Sequence, residues 1–366
     1  MKWMVWCSAL LFFQTGYART RVDLILHHGT IYTLDKKFSK AQVLVIDHGK
    51  IIACGREELM NRYESDQVID LNGRYVYPGF SDAHCHFTAQ AMDAAKLKLF
   101  GTRSFAEILH LLREWKPATG AQWLEATGWD QNEWPEKKFP EKDSLDIYFP
   151  DTPVFLLRVD GHAALVNQRA LDIAGIRSDT KMEGGEVVLK NGKPTGILID
   201  RAMEEVLKQI PSVNEEQFEH NLLSVLPSYY ALGLTALTEP GIPDEWFSWL
   251  EKIYSFHPNL PSLSVFLNGS VSHVEAWKNR SVYYKNQLHM LGFKLYADGA
   301  LGSRGACLLQ DYHDQPHHRG HWITSADSLY RMARMVEPTP FQLSVHAIGD
   351  EANRVVLKTY ARVLKG

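Results

Sequence analysis

The sequence has 366 residues, of which 45% are hydrophobic and 22% charged, with a net charge of −4. These are ordinary globular values, so disordered and fibrous classes are excluded, and the mildly acidic balance argues against a nucleic-acid partner. The length suits one large domain with a smaller companion.

The chain opens on a pattern expected of an export signal over residues 1–18. Lys2 supplies a positive start, Met4 to Phe13 a short apolar core, and Gly16 and Ala18 the small residues before a cleavage point. The apolar run is too short for a membrane span. The expectation is therefore a periplasmic or extracellular protein with no membrane partner after cleavage. Loss of Lys2 would take the charge from −4 to −5. A buried N-terminal helix or strand is the alternative. Cys7 lies inside this segment, which leaves Cys54, Cys85 and Cys307, enough for one disulfide at most.

Residues 22–77 read as a small all-β module. Val22–Leu26, Thr30–Leu34 and Gln42–Ile46 are β-rich, Asp47-His48-Gly49-Lys50 makes a hairpin into Ile51–Cys54, and Gln67–Asp70 and Tyr75–Tyr77 flank a turn at Asn72-Gly73. So few residues are marginal alone, and the module is expected to be completed by something else.

From Pro78 to Gly366 strands alternate with helices, the signature of βα units. The expected strands are Gly79–His86, Leu234–Glu239, Leu263–Asn268, Gly292–Asp298 and Gln342–His346. Apolar residues at Leu329, Met332, Ala333 and Val336, and again at Ala352, Val355, Val356 and Thr359, have helical spacing, with Asp350 as an N-cap. The stretch 88–230 is too long for a loop and reads as a folded insertion. Its Trp-rich segment Gly128–Pro135 either lines a pocket or packs the insertion.

The chemistry concentrates in three places. In Pro78-Gly79-Phe80-Ser81-Asp82-Ala83-His84-Cys85-His86 the two imidazoles alternate with Cys85, so on a strand both would face one way and grip a single metal ion. The C-terminal strand end is where βα barrels place their sites, and imidazole suits zinc and related metals. His346 ends the strand Gln342–His346 with the same orientation. In Gly292–Gly305, Lys294, Tyr296 and Asp298 share a strand face. A buried ammonium needs a reason, either an ion pair with Asp298 or carboxylation of the amine to a metal-bridging carbamate. Asp298 and Arg304, with the glycines after this strand, are candidates for binding a polar substrate group.

With the His84-x-His86 segment, Arg158-Val159-Asp160-Gly161-His162-Ala163-Ala164-Leu165-Val166-Asn167, Lys294 through Gly305, and His346-Ala347-Ile348-Gly349-Asp350 in this order, the chain resembles the amidohydrolase superfamily from Val22 onward. The likeness is to its YtcJ-like and N-substituted formamide deformylase branch. The resemblance implies an α/β fold: a (β/α)8 TIM-like barrel, here with strands 1–5 only, an N-terminal β-sandwich module, and a large insertion after the first barrel strand. It implies one or two divalent ions, zinc foremost, held by His84, His86, a carboxylated Lys294 and His346. His162 and Asp160 would shape the substrate pocket or serve the insertion structurally. The implied activity is hydrolysis of an amide or other C–N bond of a small molecule by a metal-activated water.

The resemblance also implies a sixth-strand His in an Arg-Ile-Glu-His setting and an eighth-strand Asp as general base, both beyond Gly366. Without that base the expected rate is lower by about 10²–10⁴, so the alternative expectation is an inactive remnant that binds metal or ligand. An exported solute-binding protein is a third reading. A homo-oligomer is compatible with the sequence.

Overall fold

A computed structural model describes residues 19–94, 96–115 and 122–364. The expected export signal at 1–18 lies outside the described residues. The chain divides into two compact units between Phe80 and Ser81.

In the first unit a four-stranded sheet has the order Lys50–Gly55, Val43–Asp47, Leu24–His27, Val68–Asp70, and a three-stranded sheet has the order Lys40–Ala41, Thr30–Tyr32, Tyr75–Val76. The hairpin at His48-Gly49 and the turn at Asn72-Gly73 both have two consecutive positive φ angles, 49° then 69° and 49° then 77°. That is the type I′ geometry that Xaa-Gly pairs favour, because it matches the twist of the strands. Val43–Asp47 has apolar contacts on both faces. Val43 and Val45 pack with Val22 and Ile25, while Leu44 packs with Ile31 and Ala41.

The second unit is built on five neighbouring strands: Phe80–Asp82, Leu234–Ile242, Ser262–Asn268, Leu288–Tyr296 and Gln342–His346. From Leu234–Ile242 onward these pairings are parallel, with Leu237 opposite Leu263, Val265 opposite Met290, and Tyr296 opposite His346. All five strands read from the sequence are present; Gln342–His346 has the expected bounds and the other four have shifted ends. A further strand, Tyr283–Lys285, pairs antiparallel with Leu288–Tyr296. Helices return the chain between strands. Ala326–Val336 buries Leu329, Met332, Ala333 and Val336, the four residues whose spacing marked it, and Ser325 caps it by accepting from the Ser328 amide. Leu329, Met332 and Val336 each contribute about 1.5–3 kcal/mol when fully buried. Asp350 is the first residue of its helix, not the cap, because the Asn353 amide already donates to the Gly349 carbonyl.

The insertion carries its own six-stranded sheet, ordered Leu97–Lys98, Leu124–Trp129, Val154–Arg158, Ala163–Val166, Lys193–Asp200, Gly185–Lys190. Ala163–Val166 is buried throughout, since cores cover both faces of the sheet. Trp129 and Trp134 belong to one of those cores, and their indole N–H groups donate to the carbonyls of Leu156 and Thr102. These tryptophans pack the insertion. Cys54, Cys85 and Cys307 are all free.

Candidate active site

The strand nearest the histidine pair is shorter than its sequence suggests. It ends at Asp82, so His84 and His86 do not share a strand face. The Cys85 amide donates to the Thr238 carbonyl of the neighbouring strand, and His86 occupies the N-cap position of the helix Phe87–Asp93. The two imidazoles still come together, with ring centroids 5.5 Å apart and edge to face. Backbone folding after the strand brings them together in place of strand alternation.

Lys294 lies on the fourth strand and is 3% exposed. The anticipated ion pair with Asp298 is not made: among the described residues Lys294 has no carboxylate within 4.0 Å, and its Nζ sits 4.9 Å from the centre of the Tyr296 ring. Burial pulls the Lys294 amine below its ordinary range. His86 is likewise depressed, by burial first and then by the charge of Lys294 and the nearby His84 and His346. His346 is depressed by burial, although the Gly299 carbonyl 3.2 Å from its Nε2 works the other way. Two imidazoles and one amine are thereby biased toward their neutral forms, which is the state a metal ligand or a carbamate-forming lysine requires.

Glu239 was missed from the sequence. It sits on the second strand, 1% exposed, with Oε1 3.8 Å from Nδ1 of His86 and Oε2 accepting the Thr88 amide at 2.7 Å. Burial pushes its carboxyl up to about 7. A carboxylate two residues after Leu237, on the same strand face, was the available signal.

The remaining predicted residues are committed differently. Asp298 is completely buried and accepts the amides of Cys307, Ile348 and Gly349, at 2.8, 3.0 and 2.8 Å. It fastens the segments after the fourth and fifth strands and has no exposed oxygen for a substrate, contrary to the sequence expectation. The Arg304 guanidinium is bound to Asp314 and to the Gly302 carbonyl. Asp160 lies 2.6 Å from Arg158 Nη1 and accepts the His162 amide at 3.1 Å. Arg158, 2% exposed, also binds Asp130 and donates from Nε to Gln131 at 2.8 Å.

His162 alone of this group reaches the site, its ring 4.9 Å from that of His346. Its Nδ1 lies 2.6 Å from Asp200 Oδ1, and His321 Nε2 lies 2.6 Å from Asp200 Oδ2. Burial would push Asp200 up, but the hydrogen bonds from His162 and His321 outweigh it and hold the carboxyl below the usual range. Asp200 has φ 47° and ψ −117°, a conformation costing a non-glycine residue about 1–3 kcal/mol.

The residues fit a metal by their donor chemistry, though they are not drawn into one tight sphere. Among the described residues, the one trio of His, Cys, Asp or Glu with ligand atoms all within 4.8 Å is Asp23, Asp47 and His48 in the first unit. Those groups are largely exposed and His48 is raised toward its charged form by Asp47, which suits a surface hydrogen-bond cluster.

Residues 67–365 match the amidohydrolase family. The chain belongs to that family. The chain is 31% identical over 351 residues to the putative amidohydrolase YtcJ of Bacillus subtilis strain 168, covering 91% of this chain and 65% of YtcJ. It is 30% identical over 228 residues to the N-substituted formamide deformylase of Arthrobacter pascens, covering 59% of this chain and 42% of that protein. In structure it is similar to an uncharacterized metal-dependent hydrolase from Pyrococcus horikoshii OT3, with a TM-score of 0.67, 26% identity, and coverage of 93% of this chain and 68% of the other. The chain thus spans slightly under two thirds of the length of YtcJ.

Proposed function

We propose that this chain hydrolyses an amide or other C–N bond of a small molecule, with His84, His86, Lys294 and His346 holding one or two divalent ions, zinc foremost. The observation that carries the reading is the convergence, near the C-terminal ends of neighbouring strands, of depressed imidazoles and a depressed lysine that has no carboxylate partner among the described residues. A divalent ion bound there supplies Lewis acidity and lowers the pKa of water toward neutrality.

The chain's own groups account for the rest of the proposal. His86 and His346 keep nitrogen lone pairs available because burial disfavours their protonation. The neutral Lys294 amine can add carbon dioxide, forming an N–C bond and releasing one proton, which gives an anionic carbamate. Glu239 stands behind His86, with Oε1 3.8 Å from Nδ1 of that ring. His162 contributes a pocket contact from the insertion, and Asp160 holds its backbone.

The test is to load the purified chain with zinc and follow amine release from a panel of N-substituted formamides. Turnover that depends on zinc and disappears in His84→Ala/His86→Ala supports the proposal. Equal turnover in that variant sinks it. A second reading is metal binding without turnover. Stoichiometric zinc without amine release would select it.

A further inference from the structure

Asp200 is 4% exposed, keeps a conformation that disfavours every side chain, and spends both carboxylate oxygens on imidazoles from segments 38 residues before it and 121 after it. Its backbone amide also donates to the His162 carbonyl at 3.0 Å, so the two residues are tied twice. The loop after the fourth strand is shaped around the same carboxylate: a Cβ on Gly299 would lie 2.5 Å from Asp200 Oδ2, and one on Gly305 2.8 Å from it. Only glycine leaves room there. A strained aspartate with a glycine cradle and two imidazole partners is more than a core requires, because an apolar residue would fill the space without strain or desolvation.

We infer that Asp200 is a positioning residue, which holds the His162 ring beside His346 with its Nε2 turned free for a substrate and fastens His321 by its other oxygen. The tautomer follows from donor counting. An ionised carboxylate only accepts, so the nitrogens facing it, Nδ1 of His162 and Nε2 of His321, must carry protons. Burial would lower His162, but the hydrogen bond and charge of Asp200 outweigh it and raise the ring toward its protonated form. Its Nε2, without a hydrogen-bond partner among the described residues, donates on the charged ring and accepts on the neutral one. Side-chain exposures of 15% for His162 and 20% for His321 leave both rings within reach of a small molecule. The substrate feature recognised is accordingly a polar group beside the scissile bond, where an amide offers both a carbonyl acceptor and an N–H donor. This inference rests on the proposed amide hydrolysis for its substrate, but the positioning itself can be measured without turnover.

The experiment uses the full chain with ¹⁵N-labelled histidine, loaded with zinc and held well above the ordinary imidazole titration range, with His162→Gln to assign the signal. Long-range ¹H–¹⁵N correlation is expected to show His162 protonated on Nδ1. In Asp200→Asn, which keeps the shape but can accept from only one of the rings through its single carbonyl oxygen, that tautomer gives way to a mixture. Gly305→Ala, which crowds the carboxylate without removing it, shifts the same signal and serves if Asp200→Asn does not fold. Zinc content stays at the unsubstituted level in each. With a formamide probe that turns over, kcat/KM in Asp200→Asn falls on the order of 10–100-fold, and the double variant with His162→Gln is no worse than either alone. His162 found protonated on Nε2 in the unsubstituted chain, a tautomer unmoved by both variants, or additive losses in the double variant would overturn the inference. If no formamide turns over, the amide reading fails, and the NMR signal alone decides the role of Asp200.

Discussion

The strand ends and the insertion network use the same side-chain chemistry to opposite ends. At the strand ends, Lys294 has no carboxylate partner among the described residues and His86 is 3.8 Å from its nearest one. In the insertion, Arg158 has three polar partners and Asp200 has two, several at 2.6–2.8 Å. Fully paired groups give up their reactivity to hold a shape, whereas unpaired ones keep it at a cost in stability. The contrast predicts that substitutions at the strand ends change metal binding and leave folding alone, while those in the network do the reverse.

The largest effect is expected at the histidine pair. His84→Ala/His86→Ala should lose bound zinc altogether, a fall in affinity well beyond the ~10–100-fold that loss of an outer partner costs. Melting of the metal-free protein should hardly move, because His84 and His86 stay largely open to solvent and out of the apolar core, although the surroundings partly desolvate the His86 ring. Zinc content by mass spectrometry checks this, and unchanged stoichiometry would break the comparison at its first term. On the other side, Arg158→Ala leaves Asp130 and Asp160 without their cation in a partly buried place. The expected loss is about 3–5 kcal/mol in urea unfolding, with the zinc content of the surviving folded protein unchanged.

Much of this division could be read in the sequence, and the failures have physical reasons. The five strands and their order follow from the alternation of strand and helix patterns, which is local. The end of the first strand is not local: it is set by pairing with Leu234–Ile242, so the strand stops at Asp82 and the histidines meet by a different route. Asp298 looked like a partner for Lys294 because strand alternation puts them on one face. The strand ends at Tyr296, however, and Asp298 turns to three backbone amides. Asp200 and His321 carried no motif, since their connection spans 121 residues and exists only once the insertion is folded against the loop after the fourth strand. Glu239 was inside a recognised strand, but its 1% exposure depends on the helix Phe87–Asp93 closing over it.

Glu239 sharpens the comparison, because it is buried like the network yet belongs to the strand ends. In the folded, metal-free chain its carboxyl keeps a proton to about pH 7, against an ordinary value of 4.5. Between those values the folded state binds more protons than the unfolded state, so this group's contribution to stability falls as pH rises. The slope is at most about 1.4 kcal/mol per pH unit, for a total of about 2–3 kcal/mol. Urea unfolding from pH 4.5 to 7 should show the decline in the unsubstituted chain and lose that part of it in Glu239→Gln. Identical profiles would place Glu239 with the satisfied groups.

The smallest effect should come from Arg304, where the two regions meet. Its guanidinium is satisfied by Asp314 and the Gly302 carbonyl, like a network residue, yet it follows the strand carrying Lys294. Asp314 is 55% exposed, so solvent screens the pair and Arg304→Ala should cost no more than about 1 kcal/mol. If Arg304 only holds its loop, KM for any formamide that turns over stays within about twofold in this variant. A side chain that left Asp314 to bind a substrate carboxylate would instead raise KM tenfold or more, since a charge-assisted bond contributes about 1.5–3 kcal/mol. Such a rise would move Arg304 from the shape-holding group to the reactive one, and it would show that a satisfied ion pair at this edge can still be exchanged for substrate.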